Sequence, residues 1–304
     1  MHNSYILDFG GTKISCMRLT EQKAEYFELE TPNFGEFNRD IDNIKAWLNK
    51  IFLFNGKVTI AFPGIIKNDL IISWPNKSYW NNKSLAWLYD VFGKSLIEIY
   101  DDCTIGALSN LYLFSETDNS IFINVGTGIG MGIILNGELF MGNNGVSGEL
   151  GHIVVEPESL IKCSCGNLGC LQLFSSGKGM LNRLKEKNIE YFDCKSLKEC
   201  SSALEREKIL IEGAEYLAIT TFNLINTLDI TSLHFSGGVL RDSLFVEVLI
   251  SKIHFYEKNF LNRELDLKVS YFSNASLAGA VIKNVGIDYI KSNKSILNIL
   301  KNEK

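Results

Sequence analysis

The chain has 304 residues, of which 46% are hydrophobic and 21% are charged. This length predicts one large domain or two of medium size, and the ordinary globular composition argues against a disordered chain. The formal net charge is −5, and no cluster of Lys and Arg indicates a basic surface that could bind a nucleic-acid backbone. Nucleic acid is therefore not an expected partner. The N-terminus has no basic segment leading into an apolar run, so we expect no export, no membrane partner and a cytoplasmic location.

The first part of the chain alternates short apolar strands with helical patterns. The predicted elements are strands over 5–9, 14–19, 58–62, 70–72 and 95–100 and helices over 41–51, 85–92 and 105–114. The first two strands form a hairpin whose tip is Gly10-Gly11. We expect residues 1–115 to form an N-terminal lobe.

The second part begins with the same pattern of strand, glycine turn and strand. The predicted elements are strands over 120–125 and 130–135 around Gly126-Thr127-Gly128, a helix over 214–228, and a strand over 232–236 that stops at Gly237-Gly238. The shared opening indicates an internal repeat. We expect residues 116–286 to form a C-terminal lobe and a helix over 287–304 to complete the first lobe.

The glycine turns have the composition of a phosphate site. Glycine leaves room for an anion to approach and allows successive backbone N–H groups to point at it. Around the first turn, Thr12 adds a hydroxyl donor, Lys13 a positive charge, and Asp8 a carboxylate that can hold Mg²⁺ through water. A plain tight turn is the alternative. The spacing excludes the P-loop and the complete dinucleotide-binding motif.

A second group of residues predicts a metal site. Cys163, Cys165 and Cys170 all lie on one glycine-bearing loop and span only eight residues of the chain. His152 precedes them. Three thiolates and one imidazole fill the tetrahedral shell of a structural zinc ion. Three free cysteines of a buried loop are the alternative.

A carboxylate follows the predicted strand over 95–100. Phosphorylation of a hydroxyl needs a positioned base to accept the proton, and Asp102 stands where a strand ends and a helix begins. Ligand clefts are common at such strand ends. From this segment alone, the favoured alternative is that Asp102 only caps the following helix.

Taken together, these motifs resemble the ROK family of sugar kinases and sugar-responsive repressors. The resemblance runs from Ile6 to about Val281, and its motifs are Asp8-Phe9-Gly10-Gly11-Thr12-Lys13, Pro63-Gly64, Asp101-Asp102, Gly126-Thr127-Gly128-Ile129-Gly130, Gly148-Glu149-Leu150-Gly151-His152, the cysteine loop, Gly237-Gly238 and Leu277-Ala278-Gly279-Ala280. It implies an α/β fold of two lobes, the actin-like ATPase (ribonuclease H-like) fold, with mixed sheets flanked by helices and a zinc-binding loop.

The resemblance also implies a role for each motif. Asp102 is expected to be the general base toward a sugar hydroxyl, usually the one on carbon 6. The expected sugar contacts are Pro63, Gly64, Asn76, Asp101, Glu149, His152 and Gln172. The expected contacts to ATP and its Mg²⁺ are Asp8, Gly10, Gly11, Thr12, Lys13, Gly126, Thr127, Gly128, Gly237 and Gly238. Zinc bound to one nitrogen of His152 would hold the other toward the sugar.

Two positions depart from the family pattern. Asp101 stands where the family commonly has Asn, and Gln172 stands where it commonly has Glu. Both changes alter which hydrogen bonds the pocket can donate, so the identity of the hexose cannot be inherited. The adjacent acids Asp101 and Asp102 favour a cationic amino sugar as one hypothesis.

Two other functions compete with a kinase. Family repressors carry a DNA-binding module ahead of the first hairpin, and this chain starts only seven residues before Asp8, so direct DNA binding is not expected. A non-catalytic sugar binder is the other alternative. The resemblance favours a homodimer.

Overall fold

The computed structural model describes residues 4–20, 23–53, 56–74, 77–93, 97–189 and 201–301. The chain divides into two compact units: unit 1 comprises Met1–Tyr112 and Phe272–Lys304, and unit 2 comprises Leu113–Tyr271. The boundaries predicted from the sequence lie at 115 and 286. The segment 272–286 therefore belongs to unit 1 rather than to the second lobe.

The described strands fall into three sheets. They are β1 Ser4–Phe9, β2 Lys13–Leu19, β3 Ala24–Glu30, β4 Lys57–Phe62, β5 Ile65–Lys67, β6 Leu70–Ser73, β7 Ile97–Asp101, β8 Ser120–Val125, β9 Ile129–Leu135, β10 Glu138–Leu139, β11 Ser232–Ser236 and β12 Asp266–Val269. The described α-helices are α1 Phe37–Ile51, α2 Trp87–Phe92, α3 Asp102–Gly106, α4 Asn110–Leu113, α5 Gln172–Ser175, α6 Gly177–Glu186, α7 Ala203–Leu228, α8 Ser243–Lys258, α9 Ala275–Val285, α10 Ile287–Ser292 and α11 Lys294–Lys301.

Unit 1 is built on a five-stranded mixed sheet with the order β3-β2-β1-β4-β7. β1 and β3 run antiparallel to β2, whereas β4 is parallel to both β1 and β7. β1 and β4 are almost wholly buried, which explains why their sequences are continuous apolar runs. The edge strand β3 instead alternates partly buried and exposed residues. β5 and β6 form a separate antiparallel pair.

Unit 2 repeats this topology. Its sheet has the order β10-β9-β8-β11-β12, with β9 antiparallel to β8 and β10, and with β11 parallel to β8 and β12. The order and the directions match those of unit 1 strand for strand. This confirms the internal repeat that the two glycine-tipped hairpins predicted.

The C-terminal segment differs from the single helix that the sequence predicted. α9 ends at Val285 and is capped by Gly286, whose φ of +87° is a conformation that glycine adopts without strain. Asn293 then takes an extended conformation between α10 and α11, and its side-chain oxygen accepts from Ile296 N at 3.3 Å. The segment after Gly286 is therefore two helices. Within the described ranges, no helix has the length and apolarity needed to cross a membrane.

Candidate active site and metal cluster

Several predicted site residues of unit 1 lie at one edge of its sheet. β1, β4 and β7 are parallel, so their carboxyl ends meet at the same edge. In register, Asp8 pairs with Ala61, and Phe62 pairs with Asp101. This register brings Asp8 and the acid pair Asp101-Asp102 to that edge.

Asp101, rather than Asp102, caps the helix that follows β7. Its Oδ1 accepts a hydrogen bond from Thr104 N at 2.8 Å, whereas Asp102 is the first residue of α3. The alternative in which Asp102 is only the cap is therefore wrong. Both acids are partly buried, and their carboxylate oxygens lie within 4.8 Å of each other.

The electrostatics of this edge favour proton uptake by Asp102. Burial, with the added charges of Asp101 and Asp8, raises the pKa of Asp102 well above its usual range. Burial also raises the pKa of Asp8 to about 6, against the opposing effect of Asn274, which donates to Asp8 Oδ2 at 2.7 Å. A carboxylate with a raised pKa is a stronger base than an ordinary one.

The first glycine turn is closed by backbone hydrogen bonds. Gly10 N donates to Lys13 O at 2.9 Å. Thr31, the residue after β3, donates from its backbone N to Thr12 O at 3.0 Å and from Oγ1 to Gly10 O at 2.7 Å. Gly11 and Thr12 are exposed at the tip. The Lys13 amine forms an ion pair with Glu28, so the charge expected to serve phosphate is compensated within the protein.

The segment after β4 needs glycine for space. Gly64 N donates to Phe62 O at 3.0 Å, and a Cβ atom at position 64 would lie 2.2 Å from Ser73 O. Pro63 and Gly64 are both partly buried there. Asn76, another expected sugar contact, lies outside the described residues.

A buried ion pair that the sequence analysis missed holds the following loop. Lys77 Nζ lies 3.0 Å from Asp40 Oδ2, and both side chains are almost completely buried. Tyr79 OH at 2.6 Å and Trp80 Nε1 at 3.0 Å donate to the same oxygen. Asp40 is 37 residues from Lys77, so no local sequence signal points to the pair.

In unit 2, the second glycine turn is hydrogen-bonded to the first residue of α6. Gly126 N donates to Gly128 O at 2.9 Å, and Gly126 O accepts from Gly177 N at 2.8 Å. Gly237 lies against the end of β8, where a Cβ atom at 237 would be 2.4 Å from Val125 O. The φ of Gly237 is +114°, which other residues rarely adopt.

The four predicted metal ligands form one cluster. The ligand atoms of His152, Cys163, Cys165 and Cys170 all lie within 4.8 Å of one another, and the three cysteines are free thiols. His152 Nδ1 is 3.4 Å from Cys163 Sγ, and Cys165 Sγ is 3.6 Å from Cys170 Sγ. Tetrahedral zinc bonds of about 2.0–2.3 Å place neighbouring ligand atoms at about these separations. The donor set therefore fits zinc.

The expected sugar contacts of unit 2 adjoin this cluster. His152 Nε2, the nitrogen that faces away from Cys163, lies 3.7 Å from Glu149 Oε2. Gln172 instead donates from Nε2 to Cys163 Sγ at 3.1 Å. Burial acts to raise the pKa of Cys163, but hydrogen bonds from the Cys165 backbone and the Gln172 amide outweigh it and lower the pKa to about 6.

The repeated sheet with its two glycine-tipped hairpins fits the actin-like fold of α/β proteins. The sequence profile of the ROK family matches residues 5–283. The chain belongs to the ROK family.

Kinases and repressors are both among its relatives. The xylose repressor of Bacillus subtilis is 32% identical over 174 residues, which are 56% of this chain and 45% of the repressor. The N-acetylmannosamine kinase of Haemophilus influenzae is 28% identical over 253 residues, covering 77% of this chain and 79% of the kinase. The kanosamine kinase of Amycolatopsis mediterranei is 34% identical over 198 residues, covering 61% and 64%. The chain thus spans just under half the length of the repressor.

Solved structures share the fold. The ROK hexokinase of Thermus thermophilus has a TM-score of 0.76 at 21% identity, covering 96% of this chain and 100% of the hexokinase. The ROK glucokinase of Streptomyces griseus, solved with glucose and AMPPNP, has a TM-score of 0.71 at 20% identity, covering 93% and 99%. At these identities the likeness concerns the fold alone.

Proposed function

We propose that the protein is an ATP-dependent sugar kinase that phosphorylates a hydroxyl, expected to be the one on carbon 6, of a hexose, an amino hexose or an N-acetyl hexose. The observation that carries this proposal is the Asp102 carboxylate, whose pKa is raised at the strand edge of unit 1. N-acetylmannosamine and kanosamine kinases among the relatives support the reaction class. Thiolate metal ligands, which stay reduced in the cytoplasm, support a cytoplasmic location.

Asp102 is the proposed general base. The oxygen of the sugar hydroxyl attacks the γ-phosphorus of ATP, and the bond from that phosphorus to the bridging oxygen of ADP breaks. The hydroxyl proton passes to the Asp102 carboxylate, and ADP leaves with the bridging oxygen. Because the pKa of Asp102 is raised, its carboxylate holds this proton more readily than an exposed Asp would.

The glycine turns are the proposed phosphate contacts. Backbone groups around Gly10 to Thr12 and around Gly126 to Gly128 would bind the phosphates, and Gly237-Gly238 would lie near the nucleoside. Asp8 would hold Mg²⁺ through water, which suits an ion that keeps part of its hydration shell. The pairing of Lys13 with Glu28 means that the backbone and the magnesium ion provide most of the charge compensation in this proposal.

Glu149 and His152 are the proposed sugar contacts in unit 2. His152 Nδ1 faces Cys163, which leaves Nε2 beside Glu149 for a sugar hydroxyl. His152, Cys163, Cys165 and Cys170 would hold the zinc ion, whose four protein ligands make a closed, structural site. Zinc would thereby fix the orientation of the imidazole.

The test is ADP release with Mg-ATP against glucose, mannose, fructose, glucosamine, kanosamine, N-acetylglucosamine and N-acetylmannosamine. Asp102→Asn should lower kcat about 10²- to 10⁴-fold on the best sugar, because the proton acceptor is lost. Asp288→Asn removes an exposed acid of the same unit and is the matched control. Equal turnover by Asp102→Asn and the control would refute the role of Asp102. Preference for glucosamine or kanosamine would support the amino-sugar hypothesis, and indifference to the amine would end it.

A sugar-responsive regulator is the second candidate, because a xylose repressor is among the relatives. It would bind sugar without turnover. Sugar binding measured by calorimetry, with no ADP release on any member of the panel, would favour this candidate over the kinase.

A further inference from the structure

Gln172 contacts the metal cluster, although its position in the family pattern predicts a sugar contact. Its Nε2 lies 3.1 Å from Cys163 Sγ. A thiolate can only accept hydrogen bonds, so the amide nitrogen, not the amide oxygen, must face the sulfur. Glutamate, the common family residue, has no N–H at this place and cannot make the contact once ionised.

The surroundings of Gln172 fix this orientation. Ser176 Oγ donates to Gln172 O at 2.6 Å and anchors the backbone at the start of α5. Two glycines border the side chain: a Cβ atom at position 151 would lie 3.3 Å from Gln172 Cβ, and one at 128 would lie 3.3 Å from Gln172 Oε1. The amide oxygen thus faces the second glycine turn while the nitrogen faces the cluster.

We propose that Gln172 is a positioning residue of the metal centre, and that its amide N–H tightens metal binding by donating to the Cys163 sulfur. Three thiolates and one neutral imidazole leave a zinc site with a net negative charge, which a donated N–H offsets. The hydrogen bond also fixes the direction of the sulfur lone pairs. Outer partners of metal ligands commonly change metal affinity about 10- to 100-fold when they are removed.

The exchange of Glu for Gln at this position then has a physical meaning. A carboxylate 3 Å or so from a thiolate would repel it and would have to turn elsewhere. The amide can keep its hydrogen bond to the sulfur, so Gln172 contacts the cluster. Glu149 and His152 then remain as the sugar contacts of unit 2. This inference rests on the proposed zinc site and does not require kinase activity.

The test is zinc affinity, measured by competition with a chromophoric chelator on the folded, zinc-loaded protein. Gln172→Glu should raise the zinc Kd about 10- to 100-fold, and the uncharged Gln172→Leu should also raise it because the donor is lost. Asn167→Asp makes the same amide-to-acid change at an exposed position of the cysteine loop and should leave the Kd unchanged. With Co²⁺ in place of zinc, the thiolate charge-transfer band should shift in Gln172→Leu and not in Asn167→Asp.

Wild-type affinity in both Gln172 variants would overturn the inference, as would equal weakening in Asn167→Asp. A wild-type protein that binds no zinc would overturn it together with the metal site. Turnover of sugar is measured separately, so neither result bears on the proposed kinase reaction.

Discussion

The two units place different side chains on the same scaffold. Asp8 is the fifth residue of β1 and Asn124 is the fifth residue of β8, and each precedes a glycine turn. In register, Asp8 pairs with Ala61 of β4, whereas Asn124 pairs with Ser236 of β11. Unit 1 therefore has an acid where unit 2 has an amide.

This difference separates what the shared backbone provides from what the side chains provide. Both hairpins offer backbone around a glycine turn, which is what phosphate binding needs. Only in unit 1, among the described residues, does a group of acids stand at the strand edge, with Asp101 and Asp102 joining Asp8. The repeat thus accounts for two similar glycine turns, and the side chains at the strand ends account for the proposed base.

The largest expected effect is on the free energy of unfolding, and it comes from a substitution at Gly237 in unit 2. Gly237→Ala should lower the free energy of unfolding by about 1–3 kcal/mol, because its φ is +114° and the new Cβ would collide with Val125 O. Gly238→Ala is the matched control, since a Cβ atom there meets no atom within 4 Å. Urea denaturation of both variants measures the difference. Equal stability of the two variants would contradict the close packing of Gly237 on β8.

A smaller effect is expected on the acid limb of the pH profile. Asp102 must be ionised to accept a proton, so kcat/KM should fall as the pH drops through its raised pKa. Asp101→Asn keeps a helix cap but removes the neighbouring charge, and should move that limb to lower pH. Kinetics from pH 5 to 8 check this. An unmoved limb in Asp101→Asn would show that Asp101 does not act on the base.

The smallest effect concerns stability and Asp8. The folded-state pKa of Asp8 is about 6, above the ordinary 3.8, so the folded protein holds this proton more tightly than the unfolded chain does. The stability that Asp8 contributes should therefore be full below about pH 4 and should be lost as the pH rises through about 6. Asp8→Asn should make this fall in stability shallower, leaving the part that comes from the raised pKa values of Asp101 and Asp102, whereas the exposed control Asp288→Asn should keep the full slope. Unfolding measured from pH 4 to 8 in magnesium-free buffer would show a slope shared by all three proteins if Asp8 were not responsible.

Local patterns predicted much of the fold and of the site. The apolar runs of β1 and β8, the glycine turns and the cysteine loop each lie within a few adjacent residues, so their signals survive in the sequence alone. The cluster of His152 with the three cysteines was predicted because cysteines at such close spacing are rarely needed for packing.

Contacts between distant residues could not be predicted in this way. Asn274 donates to Asp8 across 266 residues, and the pairing of Lys13 with Glu28 depends on the register of β2 and β3. The assignment of 272–286 to unit 1 likewise depends on packing, since nothing in that helix marks which core it joins. The turn of Gln172 toward Cys163 follows from the space that Gly128 and Gly151 leave beside it.

The most direct test of the central claim is ³¹P NMR of the wild-type protein with Mg-ATP and each sugar of the panel. The account predicts a new sugar-phosphate resonance for at least one sugar, growing in step with ADP and absent in Asp102→Asn. Sugar binding without any such resonance, in protein that is folded and zinc-loaded, would contradict the kinase assignment and leave the sugar-responsive binder in its place.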